Sequence, residues 1–163
     1  MAADLALTHI QAAMGNLREQ RALLVRALEL ARQLGGPQLL EAASEFQVPV
    51  APRHQEEARS LAKELAAQPS EWAGAPVQTQ FWFLSRAGEF SLQGGQRAGA
   101  EILWRQGAEL ATRTHDPSAL LYSLGNEALL ATLEGRLEEA AGVIHRLLAL
   151  GDELGSPAAA RGR

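Results

Sequence analysis

Residues 133–140 read LEGRLEEA, and a proline, Pro157, follows 22 residues after Gly135. The same gap of 22 residues separates two earlier pairs, Gly15 with Pro37 and Gly95 with Pro117. The glycines are 80 and 40 residues apart, which leaves room for one further unit, and a weaker copy does lie over 53–76. A recurrence of this length is typical of stacked structural repeats. The sequence therefore predicts about four units of roughly 40 residues.

Each unit has the period of an α-helix. In the fourth unit, Leu121, Leu124 and Ala128 share one stripe, at i, i+3 and i+7. Gly135 can adopt the left-handed conformation that ends a helix, and proline is tolerated at the first helical position. Asp116 before Pro117 is a suitable N-cap. Each unit is thus expected to be two helices, A before the glycine and B after it.

The glycines, prolines and N-cap residues set the expected limits of the helices. Helices A1 and B1 are predicted over 3–14 and 17–34, A2 and B2 over 37–47 and 53–67, A3 and B3 over 77–93 and 96–114, and A4 and B4 over 117–133 and 136–154. The repeats themselves span about 1–35, 36–75, 76–115 and 116–156, and 157–163 begins a helix that is missing. Prolines break the chain at 48–52, and the longest loop covers 68–75. Neither end has a polar capping helix, so either the array continues in a longer protein or its ends pair with another copy.

The positions within helix A resemble a known repeat. Apolar side chains recur at relative positions 4, 7 and 11, with a small one at 8; the sets are Ala2, Leu5, Ala6 and His9; Leu39, Ala42, Ala43 and Phe46; Phe81, Leu84, Ser85 and Gly88; Leu121, Leu124, Gly125 and Ala128. In helix B a small residue, Ala58, Ala100 or Ala140, begins the stripe, and a larger one follows at Trp104 or Ile144. This pattern resembles the tetratricopeptide repeat in a long form, similar to the superhelical sensor domain of maltose-activator-type bacterial signalling ATPases.

That resemblance implies an all-α fold, a single right-handed α-α superhelix of about four two-helix repeats. It also implies a concave groove lined by the A helices, and a non-catalytic interaction or sensor role within a larger bacterial regulatory protein. No GxxxxGK[ST] motif is present, so the nucleotide-binding domain of those ATPases is not in this sequence.

Composition narrows the function classes. The net charge is −4, whereas a nucleic-acid surface should be rich in Lys and Arg. There is no cysteine, no signal peptide and no apolar run long enough to cross a membrane, so a cytoplasmic protein is expected. No two of the four histidines share helical spacing; His115 and His145 are interpreted as residues at helix C-termini. We expect no metal, no cofactor and no enzymatic activity.

Aromatic residues concentrate between Trp72 and Trp104. Phe81, Trp82 and Phe83 fan over about 200° of a helix, so they cannot all face one interface. If Phe81 is core, Trp82 takes relative position 5, on the face that helix A presents to the groove. The groove stripe, at positions 2, 5, 9 and 12, contains Thr79, Trp82, Arg86 and Glu89 in the third unit; Ala119, Tyr122, Asn126 and Leu129 in the fourth; Leu40, Ser44 and Gln47 in the second.

The predicted binding residues are therefore Ser44, Gln47, Trp82, Arg86, Glu89, Tyr122 and Asn126, with a protein or peptide segment as the partner. Three alternatives remain open. Trp82 could pack on Trp72 of the long loop instead, and Trp104 is expected to be core. A small-molecule effector, such as an oligosaccharide, could occupy a deep pocket closed by that loop. The uncapped ends could also make a self-associating array or homodimer.

Overall fold

The computed structural model describes residues 2–46, 55–68, 70 and 74–155. Within those ranges the chain forms helices and no strand, which confirms the all-α prediction. The helices are α1 (Ala2–Ala13), α2 (Leu17–Leu34), α3 (Gly36–Phe46), α4 (Gln55–Ala66), α5 (Val77–Gln93), α6 (Arg97–Thr114), α7 (Pro117–Leu133) and α8 (Leu137–Glu153). Each end lies within two residues of its predicted place. The predicted break at 48–52, residues 69 and 71–73 of the predicted loop, and the tail at 157–163 lie outside the described residues.

One turn joins helix A to helix B in three hairpins. Gly15, Gly95 and Gly135 have φ values of 75°, 75° and 73°, the left-handed region that glycine adopts without strain. In each turn the glycine N–H donates to the carbonyl three residues back, and the next N–H donates to the carbonyl five residues back. This pair of hydrogen bonds is the Schellman motif, which satisfies carbonyls that the helix end would leave unpaired. The recurring glycine therefore ends α1, α5 and α7 in the same way.

The start of α7 and the end of α6 also follow their sequence signals. The Ala119 N–H donates to the Asp116 carboxylate at 2.8 Å, with Pro117 in the first helical position. His115 takes a φ of 54° at the position where Gly35 and Gly155 stand in the neighbouring repeats. It thus ends a helix, as expected. His145 does not, because it lies in the middle of α8, so that part of the prediction is wrong.

The chain divides into two compact units, Met1–Leu103 and Trp104–Arg163, and the division falls within α6. In unit 1, α2 packs on α1 and α3, and α5 packs on both α3 and α4. The apolar core of unit 1 consists of Leu5, Leu24, Ala27, Leu28, Ala31, Leu40, Ala42, Ala43, Ala58, Leu61, Ala62, Leu65, Ala75, Phe81, Phe83, Leu84, Ala87, Phe90 and Ala100. Because α5 has a neighbour on two sides, Phe81 and Phe83 are both buried although they point in different directions.

Ion pairs join helices of unit 1. Arg26 on α2 donates to the buried Asp4 carboxylate on α1, and this hydrogen bond lowers the pKa of Asp4 despite the opposing effect of burial. Arg21 on α2 likewise pairs with Glu57 on α4.

The first repeat departs from its predicted core. Asp4, Leu5 and Thr8 are buried, whereas Ala6 and His9, predicted to face inward, are exposed.

In unit 2, α7 packs on α8. The small residues predicted to begin the B stripe are buried in both units, at Ala58, Ala100 and Ala140, and so is Trp104. Ile144, however, is 44% exposed, and Val143 is buried in its place. The buried residues of α8 are Ala140, Val143 and Gly151, and Ile144 is rotated about 100° around the helix from Val143, away from the buried stripe. Leu137 and Leu154, at the two ends of this helix, are also exposed.

None of the helices in the described ranges combines the length and the apolar character needed to cross a membrane.

Candidate functional site

Helix α5 is buried over most of its circumference and has one open face. The residues facing α3 and α4 include Phe81, Phe83 and Phe90, each less than a tenth exposed. Trp82 and Arg86, which stand four residues apart, are half-buried and lie on the arc of the helix between Phe81 and Phe83. The aromatic cluster of the sequence is thus divided: the phenylalanines form core, and Trp82 remains at the surface.

The open face of α5 forms one wall of a cavity of about 410 Å³ in unit 1. The other walls come from α3 and α1, which are the first helices of the two preceding hairpins. We call this the α1–α3–α5 cavity; it is lined by His9, Glu41, Ser44, Glu45, Gln78, Thr79, Trp82 and Arg86. The exposure of Glu41, Gln78 and His9 shows that the cavity opens to solvent. No residue of α2 or α4, the second helices, lines it.

Of the seven predicted binding residues, Ser44, Trp82 and Arg86 meet in this cavity. Ser44 is 9% exposed, and its hydroxyl donates to the Glu41 carbonyl at 2.8 Å, so its polar group is already satisfied within α3. Glu89 does not line the cavity but holds Arg86, whose Nη1 donates to Glu89 Oε2 at 2.8 Å. Gln47 lies outside the described residues. Leu40, expected on the same stripe, is fully buried, because α3 packs that side against its neighbours.

Trp82 contacts the core through the ring of Phe81. Its ring centroid lies 5.9 Å from that of Phe81, with an interplanar angle of 66°, the edge-to-face arrangement that aromatic pairs favour. This contact fixes the indole as a wall of the cavity. The alternative of packing on Trp72 lies outside the described residues, as does the part of the loop around Trp72 that was expected to close a small-molecule pocket.

The remaining predicted residues belong to unit 2, where they do not share one surface. Asn126 lines an apolar cavity of about 370 Å³ in unit 2, together with Trp104, Ala108, Thr112, Leu120, Ser123, Leu124, Glu127, Leu130 and Leu150. Tyr122 and Leu129 are 43% and 40% exposed and line neither of these two cavities. Ala119, predicted on the same stripe, is 1% exposed because it faces the core. The predicted stripe of α7 therefore does not form one surface: Ala119 is buried, Asn126 lines the cavity of unit 2, and Tyr122 and Leu129 are exposed.

Three charged or ionisable groups of the α1–α3–α5 cavity were missed by the sequence analysis. Glu41 and Glu45 stand one turn apart on α3, on either side of Ser44. His9 comes from α1, and its Nε2 lies 3.5 Å from Glu45 Oε2. The stripe rule missed the glutamates because they take relative positions 6 and 10, each one residue after a stripe position. His9 was assigned to the core instead, and nothing in its spacing indicated otherwise.

The cavity thus combines an indole wall with acidic side chains and one paired arginine. Within the described ranges, no group of three or more His, Asp, Glu or Cys side chains is placed to hold a metal ion.

No protein-family model matches the chain, and no curated protein sequence is significantly similar to it.

Proposed function

We propose that this chain is a non-catalytic interaction module built from tetratricopeptide-like helical repeats, and that it binds a segment of a partner protein at the α1–α3–α5 cavity. The observation that carries the proposal is the origin of the lining: first helices of three successive hairpins supply it, and second helices supply none of it. A superhelical stack would produce this division, because its first helices share one concave surface.

Two local features support the repeat assignment. The Schellman turns at Gly15, Gly95 and Gly135 are identical in their hydrogen bonds and recur at multiples of 40 residues. The order of packing in unit 1 also suits a stack, since each first helix contacts its own partner or the previous hairpin. In such a setting the module would serve as the sensing or docking part of a larger bacterial regulatory protein, as the resemblance to maltose-activator-type proteins implies.

Trp82 is the side chain on which partner binding should depend most. Tryptophan at the centre of an interface is a frequent hot spot, and its truncation commonly weakens binding by about 2 kcal/mol or more. Trp82 is only half-buried, so Trp82→Ala should cost about 1 kcal/mol of folding free energy, the size of one aromatic contact.

A peptide-display selection against the full chain tests the proposal. Selected peptides are expected to bind the wild type, and to bind the Trp82→Ala variant at least about thirtyfold more weakly. Arg32→Ala is a surface control that should bind the selected peptides as the wild type does, because Arg32 is exposed on α2 and lines no part of the cavity. The proposal fails if no selected peptide depends on Trp82. It also fails if Trp82→Ala lowers the melting temperature as far as a core substitution does, since the side chain would then be structural.

A second candidate function is self-association, favoured by exposed apolar side chains near both ends of the described chain. In unit 1 these are Leu7, Ile10, Met14 and Leu17, and in unit 2 Leu133, Leu137, Ile144 and Leu154, all between 41% and 66% exposed. Light scattering over a concentration series would detect a dimer or an open chain of copies. A constant monomer mass at all concentrations would remove this candidate.

A further inference from the structure

The α1–α3–α5 cavity contains a carboxylate with no partner of its own. Within the described part of the chain, the Glu41 side chain makes no ion pair and no hydrogen bond, while it lines the cavity. Glu45, one turn further along α3, meets only the His9 ring, at 3.5 Å, and His9 is 68% exposed. These carboxylates therefore present acceptor oxygens to whatever enters.

Among the described residues that line the cavity, Arg86 carries the one permanent positive charge, and it is already paired. Arg86 Nη1 donates to Glu89 Oε2 at 2.8 Å, and the two side chains are equally exposed, at 35%. Counting Glu41, Glu45 and Glu89 against Arg86, with His9 neutral, the cavity and its border carry an excess of negative charge. An anionic ligand would meet two carboxylates and a guanidinium that is already paired.

Trp82 adds a second attraction for a cation. The face of an indole ring carries negative electrostatic potential, and cations placed over it are stabilised by about 0.5–2 kcal/mol, which corresponds to a factor of roughly 2 to 30 in affinity. A guanidinium gains more than an ammonium at such a place, because it is planar, stacks on the ring and can donate to two carboxylate oxygens at once.

We propose that the α1–α3–α5 cavity receives an arginine side chain of the partner polypeptide, with its guanidinium between Trp82 and the carboxylates of Glu41 and Glu45. This inference rests on the proposed function and names the partner residue that the site selects. At about 410 Å³ the cavity lies near the lower end of the range for ligand pockets, which suits one long side chain better than a folded surface.

A pair of isosteric peptides tests the charge requirement directly. One has arginine between glycines, and the other has citrulline, which keeps the shape of arginine but has no charge. The indole N–H resonance of Trp82, identified by its loss in Trp82→Phe, is followed while each peptide is added to the full chain. We expect a saturable shift of this resonance with the arginine peptide and at least about tenfold weaker binding of the citrulline peptide. A third peptide with lysine in the same place should bind more weakly than the arginine peptide. Added salt should weaken the arginine peptide most.

Two glutamine substitutions test the carboxylates. Glu41→Gln and Glu45→Gln together should lower the affinity for the arginine peptide by about tenfold or more, because each keeps its size and loses only its charge. Glu29→Gln is the control: Glu29 is exposed on α2 and does not line the cavity, so this variant should bind as the wild type does.

Equal binding of arginine and citrulline would overturn the inference, and this comparison needs no variant to fold. If display-selected peptides depend on Trp82 but lack arginine and ignore both glutamine substitutions, the inference falls while the proposed function stands. If no peptide depends on Trp82, both fall. Free arginine amide that binds as tightly as the peptide would indicate a small-molecule site and would overturn the polypeptide as its source.

Discussion

Helices α5 and α7 occupy equivalent places in successive repeats, have the same length of 17 residues, and differ in how they are buried. Helix α5 buries the bulky side chains Phe81, Phe83 and Phe90. Helix α7 buries mainly small ones; its buried residues are Ala119, Leu121, Ala128 and Ala131. Equivalent positions in a repeat thus do not contribute equally to stability, even where the helix limits match.

The open faces of the two helices also differ in chemistry. On α5 the open face carries Trp82, Arg86 and Glu89, a polar and charged surface beside a cavity. On α7 it carries Tyr122 and Leu129, which are largely apolar and line neither cavity. A charged partner segment would therefore select unit 1, and an apolar surface would select the exposed side of α7.

The largest expected effect comes from comparing a core position of α5 with the equivalent position of α7. Phe83 is fully buried, and its equivalent 40 residues later is Ser123, a half-buried residue whose hydroxyl bonds the Ala119 carbonyl of its own helix. Phe83→Ala should cost about 3–5 kcal/mol of unfolding free energy, measured with urea, because it leaves a cavity. Ser123→Ala should change it by less than about 0.5 kcal/mol. Similar losses at both positions would mean that the two helices are packed alike.

The turns should respond alike in both units. Gly95 and Gly135 share the same φ, and open space surrounds the position of an added Cβ, so only backbone strain opposes a side chain. Gly95→Ala and Gly135→Ala should each cost about 1–2 kcal/mol in urea unfolding.

The control for these turns is Gly142→Ala, on an exposed part of α8 with equally open space, which should stabilise by about 0.5–1 kcal/mol. A gain in stability at Gly95 or Gly135 would contradict the strain argument.

A smaller effect is expected at the one non-glycine residue, among those the structure describes, whose backbone has a positive φ. His115, at 54°, replaces the glycine found at 35 and 155. His115→Gly should raise the free energy of unfolding by about 0.5 kcal/mol, which a slightly higher thermal midpoint would show. The gain is small because relief of strain is partly offset by the flexibility of glycine in the unfolded chain. The reverse change, Gly35→His, should lower stability. A loss of stability in His115→Gly would show that the imidazole makes contacts worth more than the strain.

The smallest signal is a pH dependence confined to unit 1. The pKa of Asp4 is lowered in the folded protein by its hydrogen bond with Arg26, so its contribution to stability is present above the ordinary aspartate pKa and is lost as pH falls through the lowered value. Asp4→Asn should be less stable than the wild type at pH 7, and the difference should narrow below about pH 4. Urea midpoints at several pH values measure this.

The exposed pair Glu127–Arg146 of unit 2 is the comparison for that experiment, with side chains 47% and 59% exposed. Glu127→Gln should change stability at pH 7 by no more than about 0.5 kcal/mol, as is usual for ion pairs in contact with water. An unchanged difference between Asp4→Asn and the wild type from pH 7 to pH 3 would rule out the assigned role of Asp4.

The helix limits could be predicted because local signals set them. Glycine, proline and Asp116 act through their own backbone or a neighbouring N–H, so no knowledge of tertiary contacts was needed. Burial could not be predicted as well, because it depends on how many neighbours a helix has. Ile144 has the right residue type for a core but is 44% exposed, whereas Asp4 is buried because Arg26 compensates its charge.

The candidate site divides in the same way. The stripe on α5 could be predicted from helical spacing, since Trp82 and Arg86 are four residues apart and the intervening apolar residues mark the opposite side. His9 could not be assigned to the cavity, because its place depends on packing between three hairpins distant in sequence. Glu41 and Glu45 were passed over for a simpler reason: charged residues on a helix are commonly solvated, and only a shared cavity gives them a ligand-facing role.

The Schellman turns bear on how this protein is made in the cell. Each closes through hydrogen bonds that span at most five residues, so the turn between α1 and α2 needs nothing from the rest of the chain. Short-range contacts of this kind form fast, and N-terminal segments can fold while synthesis continues. The nascent chain can therefore pair α1 with α2 once residue 34 has left the ribosome, before the rest of unit 1 has been synthesised.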